Sequence, residues 1–183
     1  MKRLLFMKTC IFLIFFFCIT SVTAQNKTLH NFSALTLDGD TLHFSSFAGK
    51  KLLLVNTASE CMFTPQYAKL QKLYEEYARN NFEVIAFPCN DFGKQEPGNN
   101  QKIKEFCAQY NVSFTVMAKI SIKGEAIHPV YRWLTSRTEN GVLDAKVRWN
   151  FQKFLVDENG KVFDSLGPSV SPLSPKIIEW ITD

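Results

Sequence analysis

The sequence predicts an α/β fold in which a central mixed β-sheet is flanked by helices and preceded by a β-hairpin. Three patterns point to it. Two continuous apolar runs, KLLLV from residue 51 and EVIAF from residue 83, are each followed by a segment with helical apolar spacing. An uninterrupted apolar run is the mark of a strand covered on both faces, and strands alternating with helices build sheets sandwiched between helical layers. Two turn pairs, Asp38-Gly39 and Asn159-Gly160, each lie between apolar stretches, where residues tolerant of positive φ close tight hairpins.

The first 24 residues stand outside this plan. Lys2, Arg3 and Lys8 precede an apolar run from Cys10 to Ile19, and Val22-Thr23-Ala24 offers small residues for cleavage, which is the layout of a secretory signal peptide. The run is shorter than the ~20 residues that span a bilayer, so cleavage is expected rather than anchoring. The domain is accordingly residues 25–183, exported to a periplasmic or other extracytoplasmic compartment.

Within the domain, Phe32, Leu35, Leu37, Leu42, Phe44 and Phe47 surround the first hairpin turn. KLLLVNTAS follows as a buried strand. Thr64-Pro65 reads as the N-cap and first residue of a helix whose apolar face is Tyr67, Leu70, Leu73, Tyr74 and Tyr77. EVIAFP is a second buried strand. A polar loop leads to a helix from about Gln101 to Tyr110, with Ile103, Phe106, Cys107 and Tyr110 on one face. HPVYRWLTSR from His128 is a short helix, FQKFLVDENGKVFDSLG a second hairpin, and SPLSPKIIEWITD a closing amphipathic helix. No repeat, linker or low-complexity tract divides the chain. This order, with a cysteine just after the first buried strand, matches a thioredoxin-like architecture.

Charge excludes some functions. The formal net charge is +4, but the leader carries three of the 21 basic residues and none of the 17 acidic ones. The domain therefore has 18 minus 17, or +1, which implies no nucleic-acid or membrane-surface partner. Removing the leader also reduces five cysteines to three, Cys61, Cys89 and Cys107. An odd number outside the cytosol leaves at least one thiol unpaired, which points to a working thiol.

Cys61 is the first candidate, in VNTASECMFTPQY between a strand and a helix. Only the thiolate is nucleophilic, and a helix N-terminus favours the anion. That effect is worth about 0.3 to 1 kcal/mol, under one pKa unit. Side-chain donors must therefore contribute. Trp149 and Asn150, in VRWNF, carry an indole N–H and an amide N–H₂, and a hydrogen bond to a charged group is worth roughly 1.5 to 3 kcal/mol.

Four motifs now stand in order: VNTASEC.FTPQY..L..LY..Y, VIAFPCN.FG.QEPG, HPVY.WL and WNF.KFLVD..G. Together they resemble the glutathione peroxidase family over essentially the whole domain. The resemblance implies a thiol-dependent peroxidase of thioredoxin-like fold that reduces hydrogen peroxide and organic or lipid hydroperoxides. Cys61 would be the peroxidatic residue, with Trp149 and Asn150 as its hydrogen-bonding partners, and no cofactor or metal is implied. Cys107 stands where thioredoxin-dependent members carry a resolving cysteine, which makes a thioredoxin-like protein the favoured reductant, with glutathione second. Cys89 reads as structural. The chain has no long insertion between Tyr131 and Trp149, which favours a monomer.

Two positions depart from the family pattern as read from these motifs. Position 91, expected to be a glutamine donating to the sulfur, is Asp91. An ionised carboxylate accepts but does not donate, and at 4 Å in an effective dielectric of 20 it would repel a thiolate by about 4 kcal/mol. Three outcomes are open: Asp91 points away, it is protonated, or a nearby amide such as Gln95 takes over; the first is expected, with activity below the family's best and Asp91→Gln faster. The second departure is Met62 in place of glycine directly after the cysteine, which raises the prospect of a shifted thiol or a partly covered pocket. Rival functions are a thiol-disulfide oxidoreductase, disfavoured because the register after Cys61 is Met-Phe-Thr rather than C-x-x-C, and a catalytically weak redox sensor. A copper carrier is disfavoured because His30, His43 and His128 are scattered.

Overall fold

The computed structural model describes residues 27–183; the segment read as a signal peptide lies outside them. The chain opens with the expected hairpin, β1 (Ser33–Leu35) against β2 (Thr41–His43), turned by Gly39 at φ +88°. It continues as β3 (Lys51–Thr57), α1 (Gln66–Tyr77), β4 (Phe82–Pro88) and α2 (Asn100–Gln109). After these come β5 (Thr115–Val116), α3 (Pro129–Thr135), α4 (Arg137–Asn140), β6 (Lys153–Val156), β7 (Val162–Leu166) and α5 (Pro175–Thr182). The main sheet has the order β5-β4-β3-β6-β7. β3 runs parallel to β4 and antiparallel to β6, so the sheet is mixed, and the arrangement is thioredoxin-like.

Both faces of the sheet are covered, which is why its central strands are apolar without interruption. Leu52 and Leu54 of β3 face a core with Phe87, Tyr131, Trp133 and Phe154, while Leu53 and Val55 face one with Tyr67, Leu70, Ile103, Cys107 and Trp180. α1, α2 and α5 therefore lie over one face, and α3 with the N-terminal hairpin segment over the other.

The helix after Cys61 begins differently from the expectation. Thr64 is not an N-cap for α1: its Oγ1 accepts from the backbone N–H of Cys61 at 3.0 Å and donates to Ala58 O at 2.9 Å. Successive tight turns from Cys61 to Tyr67, closed by Thr64 N to Cys61 O, Gln66 N to Phe63 O and Tyr67 N to Thr64 O, carry the chain into the helix instead.

Topology positions three loops together. The C-terminal ends of parallel β3 and β4 and the N-terminal end of antiparallel β6 fall at the same edge of three neighbouring strands. Residues 58–65, 89–99 and 147–152 are thereby delivered to one place from distant parts of the chain.

Candidate active site

Cys61 is buried, at 6% exposure, and its Sγ accepts from the backbone N–H of Phe63 at 3.4 Å. The Thr64 side chain pins its amide from below, so the loop is fixed at both its nitrogen and its sulfur. Met62 does not produce the crowding that its size suggests. Its backbone is outside the left-handed region, and its side chain, 82% exposed, stands in solvent beside the thiol.

Asn56, a fully buried amide in β3, organises the segment before β6. Its Nδ2 donates to Trp149 O at 3.1 Å, its Oδ1 accepts from Gln152 N at 3.1 Å, and its carbonyl accepts from Phe151 N at 2.6 Å. These bonds hold Phe151 at φ +66°, a conformation that costs a non-glycine residue on the order of 1 kcal/mol or more. A strained kink next to Asn150, held by three hydrogen bonds to Asn56, fixes the backbone that carries Trp149 and Asn150.

Trp149 is a partly exposed rim residue, at 37%, rather than a core aromatic; its ring packs on Phe92 at 5.8 Å. Asn150 is fully buried, and the structure corrects its expected contact. Its Nδ2 donates to Gln95 Oε1 at 3.0 Å and Phe92 O at 3.4 Å, and neither it nor Trp149 donates to Cys61 Sγ among the described residues.

Gln95 is the residue that joins these parts. Its carbonyl accepts from Glu60 N, next to Cys61, at 3.0 Å, and its side-chain oxygen takes the Asn150 bond. Gly93 at φ +64° and Lys94 at φ +55° turn the loop to bring it there. A Cβ at position 93 would sit 3.4 Å from the Gln95 side chain and 3.5 Å from the Trp149 ring, which shows how closely the two approach. With Oε1 occupied, Nε2 is left as a donor. The neighbouring Glu96 doubles the seam, accepting from Ser59 Oγ at 2.8 Å.

Asp91, in contrast, does not face the thiol, and of the three outcomes left open by the sequence the first describes its geometry. Its Oδ2 accepts from Ser121 Oγ at 2.9 Å, Ile122 N at 2.6 Å and Lys123 N at 3.2 Å, tying down the 121–123 turn. The sulfur within its electrostatic reach is Cys89, whose thiol burial pushes up to about 12, the Asp91 charge adding to the rise. Cys89 lies in the core on the opposite face of the sheet from Cys61 and Cys107.

Cys107 is reduced, buried in the body of α2 and not bonded to Cys61. Burial pushes its thiol up to about 11; the Tyr67 hydroxyl works against that rise and Glu96 adds to it. Of the residues now seen to matter, Gln95 is open from the sequence as a substitute donor, whereas Asn56 stands in a motif but only its placement assigns it a task.

A reduced thiol just after the central strand of a thioredoxin-like sheet, on a loop tied through the Gln95 backbone to the segment that carries Trp149 and Asn150, defines a thiol-based oxidoreductase. The comparisons make the class particular: the chain belongs to the glutathione peroxidase family, whose model, glutathione peroxidase, matches residues 29–135, and it is a peroxidase. It is 42% identical over 144 residues to a glutathione peroxidase of Lactococcus lactis, covering 78% of this chain and 91% of that one. It is 44% identical over 158 residues to the hydroperoxy fatty acid reductase of Synechocystis, covering 82% and 94%. Among solved structures it is similar to the crystal structure of Trgpx in apo form, with a TM-score of 0.67 and 34% identity over 86% of this chain and 97% of that one.

Proposed function

We propose that this protein reduces hydrogen peroxide and organic or lipid hydroperoxides through Cys61, forms an intramolecular Cys61–Cys107 disulfide, and is recycled by a thioredoxin-like donor in preference to glutathione. The observation that carries the site assignment is Gln95, bonded through its backbone to the Cys61 loop and through its side chain to Asn150. The Cys61 thiolate attacks one peroxide oxygen, the S–O bond forms as the O–O bond breaks, and the second oxygen leaves as water or an alcohol after taking a proton. Gln95 Nε2 and Trp149 Nε1 are the neutral donors available to the sulfur, and Asn150 acts by holding Gln95 in place. Asp91 has no part in this step.

The sulfenic acid left on Cys61 is then open to capture by a second thiol. Cys107 lies within folded α2, and a disulfide needs the two Cα atoms within about 7 Å, so if they start farther apart that helix must locally unwind. Met62 and Trp149 give the thiol an apolar, exposed rim suited to the hydrocarbon chain of a lipid hydroperoxide. The protein works as an exported monomer, in a periplasmic or other extracytoplasmic compartment, once residues 1–24 are removed. The test is peroxide consumption with NADPH, thioredoxin reductase and thioredoxin. Many turnovers, abolished in Cys61→Ser, are expected. One stoichiometric oxidation that then stops would make the protein a redox sensor and overturn the reading.

A further inference from the structure

Cys107 shares its core cluster with a buried tyrosine whose hydroxyl the peroxidatic step does not use. Tyr67 of α1 is fully buried, its ring 5.6 Å from both Phe106 and Tyr110, the residues that flank Cys107 along α2, and 5.7 Å from Phe151 beside Asn150. Its hydroxyl has no hydrogen-bond partner among the described residues, and neither does the hydroxyl of Thr57, also fully buried, at the end of β3. Burying polar groups without partners is unfavourable, so two such hydroxyls together mark a place arranged for a different charge state.

The electrostatics give the order of the groups. Burial first, then the Cys107 sulfur, raise the Tyr67 hydroxyl, and the Thr57 side chain works against that rise. Tyr67 in turn is the group that lowers Cys107 against burial. The titratable groups that face Cys107 are thus Tyr67 from α1 and Glu96 from the loop before α2, and they act in opposite directions. A Thr57 hydroxyl turned to the tyrosine oxygen would leave the tyrosine proton to the sulfur.

We propose that Tyr67, oriented by Thr57, is a positioning residue for disulfide formation: its O–H donates to the Cys107 sulfur as negative charge develops there. The inference rests on Cys107 being the resolving thiol. In that step the S–H bond of Cys107 and the S–O bond of the Cys61 sulfenic acid break, the S–S bond forms, and the thiol proton leaves with the hydroxyl as water. The Cys107 sulfur is oxidised and the Cys61 sulfur reduced, while Tyr67 keeps its own proton. The same side chain spans α1 and α2, so the hydroxyl that assists the resolving thiol belongs to the ring that packs its helix closed.

Tyr67→Phe keeps the ring and removes the hydroxyl. One equivalent of hydrogen peroxide is added to reduced protein, samples are quenched with an alkylating agent, and sulfenic acid and disulfide are followed by mass spectrometry. Sulfenic acid should form at the wild-type rate, and the Cys61–Cys107 disulfide should form roughly ten- to a hundredfold more slowly, the worth of one hydrogen bond to a charged sulfur. Thr57→Val should slow it less, and serves alone if Tyr67→Phe does not fold. In a Cys61→Ser background, Tyr67→Phe should move alkylation of Cys107 to higher pH, a shift that loss of packing does not produce. If wild type forms no Cys61–Cys107 disulfide, the resolving role of Cys107 falls. If wild type forms it and Tyr67→Phe does so as fast or faster with an unmoved alkylation profile, the role of Tyr67 falls.

Discussion

Replacing Asp91 by glutamine exchanges the charged carboxylate that holds three donors of the 121–123 turn for a longer neutral amide and places no new donor at Cys61. The expected result is a loss of about 1 kcal/mol in urea unfolding, the net worth of hydrogen bonds to partly buried donors, with peroxide consumption within about twofold of wild type. Gln95→Ala should do the reverse, lowering the rate of Cys61 oxidation roughly ten- to a hundredfold through the lost hydrogen bond, with a smaller effect on stability. Acceleration by Asp91→Gln would show that residue 91 reaches the thiol after all. The motifs locate Cys61, Trp149 and Asn150, and the resemblance puts the donor at position 91, but with Asp91 there the sequence leaves Gln95 as only one of several alternatives. Both lie in one polar loop, and which side chain turns inward is decided by the left-handed backbone at Gly93 and Lys94, which no residue-type pattern encodes.

At the scale of elements, α2 carries Cys107 and is the part that unwinds if the two cysteines start farther apart than a disulfide allows. It is a ten-residue helix, shorter than isolated helices that hold in water, so its closed state depends on its cap and its packing on Tyr67. Asn99 supplies the cap, its Oδ1 accepting from Lys102 N at 3.0 Å. Asn99→Ala should cost the helix about 1 kcal/mol and, with opening on the path to the disulfide, speed resolution roughly fivefold at unchanged sulfenic-acid formation. Stopped-flow oxidation followed by timed alkylation measures both rates; resolution that is equally fast in wild type and variant would mean that helix opening does not limit it. The long periodic elements are legible because burial on one face imposes a spacing over three turns. β5, with two residues, and α4, with four, are too short to imprint any period, and Thr64 misleads because its residue type suits an N-cap while its actual neighbour is the Cys61 amide.

For the molecule as a whole, one buried charge links the site to global stability. Lys153 of β6 is fully buried on the face that carries α1, and its Nζ donates to Gln66 Oε1 at 2.6 Å, Pro168 O at 3.0 Å and Val170 O at 2.6 Å. It thereby ties the first turn of α1 to the segment after β7. Three neutral acceptors match the three donors of an ammonium, but none is a carboxylate, and burial lowers the lysine to about 7 from its ordinary 10.5. Below about pH 7 both folded and unfolded chains carry the proton, and the full cost of burying the charge is present. As pH rises from 7 towards 10.5 the folded state releases the proton while the unfolded chain keeps it, so stability rises by up to about 1.36 kcal/mol per pH unit. Cys89 and Cys107, raised to about 12 and about 11, act in the opposite sense once unfolded thiols ionise near pH 8.5, and His128, lowered by burial, acts only below about 6.5. Between pH 7 and 8.5 the lysine therefore outweighs the other buried groups in setting how stability changes with pH. Urea unfolding across that window should show wild type gaining roughly 1 to 2 kcal/mol relative to Lys153→Met, whereas parallel curves would mean that Lys153 keeps its proton throughout and that its three carbonyl-type partners suffice to hold a full charge in the core.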